Sequence, residues 1–142
     1  MRSSAPLLIA FALASACASA KVPPAASTPP PQRVESGAWG GEHVALTVTD
    51  AGARLEFDCA AGQINQPLTS DAEGHFAATG VFVRERAGAL RIGDQPTRQP
   101  ARYEGRLEGT RLTFDVVLTE SNEKAGTFTV EHGATPRMRK CR

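Results

Sequence analysis

From Gly37 to Val130 the side chains alternate with a period of two, which restricts this stretch to strands and turns. Val44, Leu46 and Val48 point to one side, with Thr47 and Thr49 opposite. Asp50-Ala51-Gly52 supplies a turn. Leu55, Phe57 and Cys59 then resume the inward set, with Arg54, Glu56 and Asp58 outside, so residues 42–60 read as a hairpin. No stretch of ten or more residues carries the apolar stripe of a helix.

The same reading extends along the chain. A short strand over Gln63–Leu68 carries Ile64, and Pro67 places it at an edge or ends it. Ser70–Gly74 is a turn. In His75–Arg84, Phe76, Ala78, Gly80 and Phe82 share one face and Val81 and Val83 the other, which predicts a central strand. Residues 85–99 have no period and form a long loop, a length that is uncommon in compact domains and often functional. Strands follow at Ala101–Leu107, at Leu112–Leu118 and around Phe128 and Val130, separated by turns at Glu108-Gly109 and Glu120–Lys124. About seven to eight short strands joined by hairpins predict an all-β antiparallel meander. Closing it into a small lipocalin-like barrel removes the exposed edges; a two-sheet sandwich is the alternative.

The N-terminus has a different composition. Met1-Arg2 is followed by an apolar run, Pro6–Ala16, too short to span a bilayer but of the length found in a secretory signal. Ala14-Ser15-Ala16-Cys17 resembles a bacterial lipoprotein box, which predicts a signal peptide over 1–16 and lipidation of Cys17. The alternative is cleavage after Ala20, giving a 1–20 signal and a soluble product. Residues 17–36, rich in Pro and Ala, read as an extended tether, and 37–142 as the β domain. The expected location is the periplasmic face of the cell envelope, held by a lipid anchor, or a secreted or periplasmic state without one. The chain has three cysteines, and an oxidising compartment favours pairing. Cys59 with Cys141 is the expected disulfide; two free thiols, a metal pair or an intermolecular bridge are the other readings. Cys17 as a lipid acceptor accounts for the third thiol.

Sixteen basic against fifteen acidic residues give a net charge of +1, which argues against a nucleic-acid or general polyanion binder. His43, His75 and His132 are not spaced as metal ligands. In an extended chain Glu42-His43 and Glu131-His132 also point apart, so neither a metal nor a cofactor is expected. There is no Gly-x-Ser-x-Gly elbow, and the glycines at 37, 40 and 41 around Trp39 form no phosphate loop, so no enzyme is expected. Arginines are the stronger signal. Arg84, Arg86, Arg91 and Arg98 lie in or beside the long loop, and Arg102 faces out of the next strand; their planar forks suit carboxylate or phosphate groups. With Tyr103 they make the candidate contact set. The competing readings are a solvated loop with local Glu–Arg pairs, and Trp39 and Tyr103 as core plugs.

The runs W-G-G-E-H-V at 39–44, L-E-F-D-C-A-A-G at 55–62, V-R-E-R at 83–86, A-R-Y-E-G-R-L-E-G at 101–109 and the terminal K-C-R are similar to a group of small exported bacterial proteins. That resemblance implies a compact β domain and transfers no functional residue. Phe57-Asp58-Cys59-Ala60-Ala61-Gly62 and Cys141 also resemble, more weakly, the membrane-bound inhibitors of C-type lysozyme, small barrel lipoproteins with a cysteine near the C-terminus. Of that family's Ser-Gly-x-Arg-Tyr inhibitory loop, Pro100-Ala101-Arg102-Tyr103 shares only the last residues. The expectation is a non-enzymatic envelope lipoprotein that binds a small-molecule or protein partner or acts structurally. The alternative is an inhibitor of a lysozyme or protease in the envelope.

Overall fold

A computed structural model describes residues 29–86, 88, 92–93 and 95–141, and none of these is helical. Its strands are β1 (Gln32–Arg33), β2 (Gly37–Gly41), β3 (Val44–Thr49), β4 (Gly52–Phe57), β5 (Ala60–Ile64), β6 (Thr69–Ser70), β7 (His75–Arg84), β8 (Arg98–Glu108), β9 (Arg111–Leu118) and β10 (Lys124–His132). Eight of them close into an antiparallel barrel in the order β10-β2-β3-β4-β5-β7-β8-β9. The alternation therefore resolves as a meander barrel and not as a sandwich. Two-residue connections join β2 to β3, β3 to β4, β4 to β5 and β8 to β9, as the pairs Gly41↔Val44, Thr49↔Gly52, Phe57↔Ala60 and Glu108↔Arg111 require.

The inward residues fill the barrel. Trp39, Leu46, Leu55, Tyr103, Leu112 and Leu118 are each no more than 2% exposed. Phe57 packs on Phe128 and Phe82 with ring centroids 4.6 and 5.6 Å apart, and Phe114 lies 5.8 Å from Phe128. Tyr103 crosses beneath β5 and β7, where Gly62 leaves room for its hydroxyl; a Cβ at that position would overlap the phenol oxygen. The hydroxyl donates to the Val81 carbonyl at 2.9 Å, so the one polar atom of this side chain is satisfied inside an apolar wall. A pocket of about 10 Å³ lies among the inward residues Leu46, Leu55, Ile64, Phe76 and their neighbours. That is at the lower limit for a single water molecule, and an apolar lining offers such a water no partners.

Three local expectations are corrected. The strand placed at Gln63–Leu68 is β5 at Ala60–Ile64 followed by the separate short β6, with Pro67 in the connection between them. Cys59 does not continue the inward set. β4 ends at Phe57, and Asp58-Cys59 forms the turn into β5, which leaves Cys59 exposed. The folded body also starts before Gly37. β1 pairs with β6 through Gln32↔Ser70 and Arg33↔Thr69, and the Val34 amide donates to Leu68 O at 3.0 Å. Val34 is 3% exposed, so the one apolar side chain at the end of the spacer is drawn into the core. The Trp39 indole N–H donates to Glu35 O at 3.0 Å, closing this end of the barrel. The export segment, Cys17 and most of the spacer lie outside the described residues.

The C-terminal segment straps the barrel from one end to the other. After the turn at Gly133, Ala134–Pro136 lie on the outer side of β2, and a Cβ on Gly40 would overlap the Ala134 carbonyl and come within 2.6 Å of Pro136 N. Further along, the Arg137 amide donates to Gly41 O at 2.9 Å and the His43 amide donates to Arg137 O at 2.8 Å. The Arg139 amide then donates to the Asp58 carboxylate at 2.7 Å. The strap ends in the Cys59–Cys141 disulfide, with Cα atoms 5.3 Å apart.

Candidate functional site

In a filled barrel, chemistry has to be sought on the outside. Inter-strand register sets two outward rows side by side across β4, β5, β7 and β8. One runs Arg54–Gln63–Val81–Pro100 and the other Glu56–Ala61–Val83–Arg98. Val81, Val83 and Ala61 are half-buried, and no described strand is paired over them. The result is a trough of about 330 Å³ whose floor sets Gln63 beside the apolar Ala61, Val81 and Val83 and whose walls include Arg54, Glu56, Arg98 and Lys140. A second depression of about 850 Å³ continues from it at the base of the 85–97 connection, sharing Ala61, Val83 and Glu85. The Glu85 amide donates to Cys59 O at 2.9 Å, which ties this connection to the turn that carries the disulfide.

Part of the charge is already paired. Lys140 Nζ lies 3.7 Å from Glu56, and Arg84 meets Glu123 at 2.6 Å. Neither Arg54 nor Arg98 forms an ion pair with a described residue. Both stand exposed at the margins of the apolar floor.

The candidate contact residues separate into groups. Arg84, Arg86 and Arg98 border the two depressions. Arg102 is further along β8, beside Thr79, where its guanidinium is held by Glu104 at 2.8 Å. Arg91 lies outside the described residues. Tyr103 is withdrawn from the contact set, because it alternates inward between Arg102 and Glu104 and is 0% exposed. Burial pushes its phenol pKa upward. Sequence reasoning missed Arg54, Lys140 and the apolar floor. The available signal was the double apolar face of His75–Arg84, which marks a patch once a closed barrel leaves Val81 and Val83 outside.

A second polar cluster lies at the turn carrying the disulfide. His43 sits in the two-residue β2–β3 turn with φ of 64°, not in an extended strand, so its ring approaches Glu42 to 3.8 Å as well as Asp58 to 2.5 Å. Residues 42 and 43 therefore do not point apart here as they would in an extended strand. The Arg139 amide, with help from His43, holds the Asp58 carboxyl below its ordinary value, against the opposing effect of burial. His132 lies with its ring centroid 4.9 Å from that of Trp39, and His75 is 3.4 Å from Asp71. Among the described residues no group of three or more His, Cys, Asp or Glu side chains is placed to hold a metal ion. Comparison with protein-family models, with curated proteins and with solved structures found no match to the chain.

Proposed function

We propose that this chain is a non-enzymatic, lipid-anchored envelope protein that recognises a partner on its outer surface. The filled interior carries the reading. Small-molecule sites enclose about 300–1,000 Å³, whereas the inward side chains are closely buried and the pocket among Leu46, Leu55, Ile64 and Phe76 holds about 10 Å³. Contact then falls to the exterior, where the trough over Ala61, Val81 and Val83 and the base of the 85–97 connection are contiguous. A disulfide suits an oxidising compartment, and the lipoprotein box at Ala14–Cys17 supports the anchor.

Two measurements test the two parts. Cys17→Ser should abolish radiolabelled palmitate incorporation and move the protein out of the membrane fraction; retained labelling overturns the anchor. A photo-cross-linking benzoylphenylalanine at Val83 should yield a discrete adduct in intact cells, whereas the same group at Thr129 on the far wall should not. Equal or absent adducts at both positions overturn recognition through this face.

A further inference from the structure

The outer trough has a chemistry more specific than a generic contact surface. Its floor joins the small apolar side chains of Ala61, Val81 and Val83 to Gln63, and Arg54 and Arg98 stand on opposite margins without a described carboxylate partner. Building on the surface-recognition reading, we propose that the trough seats an extended acidic peptide segment of a partner protein. Carboxylates flanking a small apolar residue meet Arg54 and Arg98, and that residue rests on Val81 and Val83.

Spacing decides the register. Arg54 on β4 and Arg98 on β8 are separated by three inter-strand gaps, each about 4.8 Å, and by the two-residue offset between their rows, about 6.6 Å, so about 16 Å along the diagonal. An extended chain advances about 3.3–3.6 Å per residue, so two side chains four positions apart span about 13–14 Å, and the length of the arginine and glutamate side chains covers the remaining distance of about 2 Å. Residues i, i+2 and i+4 of an extended segment leave the same face, which puts the apolar residue between the two acids over the floor. Guanidinium groups take carboxylates as paired, fork-shaped contacts, and neither arginine would have to leave an ion pair with a described residue to do so. The acids already present have the opposite role. Glu56 and Glu85 on the walls repel a segment carrying acids at every position, so alternation is preferred to an unbroken acidic run.

The test uses the mature protein and fluorescence anisotropy of a labelled peptide with Glu-Ala-Val-Ala-Glu at its centre, next to a Lys-Ala-Val-Ala-Lys control. The glutamate peptide should bind at least about tenfold more tightly than the lysine peptide. Arg54→Glu and Arg98→Glu should each weaken it about tenfold or more while the thermal midpoint stays unchanged, and added salt should weaken it steadily. Equal binding of the two peptides, or full binding by Arg98→Glu, overturns the proposal. Binding to vesicles of phosphatidylglycerol and phosphatidylcholine with no binding of the peptide also overturns it, in favour of an anionic lipid surface. An adduct through position 83 without peptide binding removes the acidic ligand and leaves surface recognition standing; loss of both removes both.

Discussion

Replacing Cys59 and Cys141 together by serine removes a cross-link between residues separated by 82 positions. A loop of that length restricts the unfolded chain by about 4.5 kcal/mol at 25 °C on the chain-entropy relation. In the folded protein little else changes, because the strap keeps its own bonds. These are Arg137 to Gly41 at 2.9 Å, His43 to Arg137 at 2.8 Å and Arg139 to Asp58 at 2.7 Å. The effect should therefore appear as a less constrained unfolded state. Urea melts should show a loss approaching 4 kcal/mol together with a larger m-value, since an uncrosslinked chain exposes more surface. At about 4 °C per kcal/mol for a domain of this size, the thermal midpoint should fall by roughly 15–18 °C. Hydrogen exchange at the amides of His43 and Arg137 separates this from simple release of the strap. A stability loss below about 1 kcal/mol with an unchanged m-value would refute the reasoning. So would exchange that rises only at those amides with no change in global stability.

Gly40→Val places a side chain against the Ala134 carbonyl and should cost about 1–3 kcal/mol in a chemical melt, with faster reduction of the disulfide by dithiothreitol. Tyr103→Phe removes the 2.9 Å bond to Val81 O and should cost about 1 kcal/mol by the same assay. Asp58 has a folded-state pKa below its ordinary 3.8, so its contribution is present above that value and is lost as pH falls further, through the folded-state pKa. Acid titration of stability should therefore be shallower below about pH 3.8 in Asp58→Asn than in the parent protein.

The barrel was legible because its strands obey one rule for long stretches. Val44, Leu46 and Val48, and likewise Leu112, Phe114, Val116 and Leu118, need only alternation to be placed inside. Residues whose role depends on a distant partner were not legible. Val34 reads as part of a tether until β6 provides an edge for β1, and Gly40 reads as turn material until the strap is laid over it. The site was half readable for the same reason. Arg84, Arg86 and Arg98 are close in sequence, but Arg54 and Lys140 join them only through register and through the returning tail. Tyr103 has the chemistry of a contact residue, but the parity of its strand turns it into the core.

The chain enters the barrel and is fastened by its disulfide at opposite poles. It arrives through Gln32–Arg33 beside the Asp50 turn, whereas Cys59, Glu85 and Lys140 cluster at the opposite pole, about ten strand residues away. At about 3.3 Å per residue that is some 30 Å before strand tilt is subtracted. A bilayer holding residues ahead of Gln32 would lie under one pole and leave the other hemisphere open to the aqueous compartment. The same covalent tie that fastens the tail also holds Lys140 at the pole away from Gln32, where it borders the outer trough.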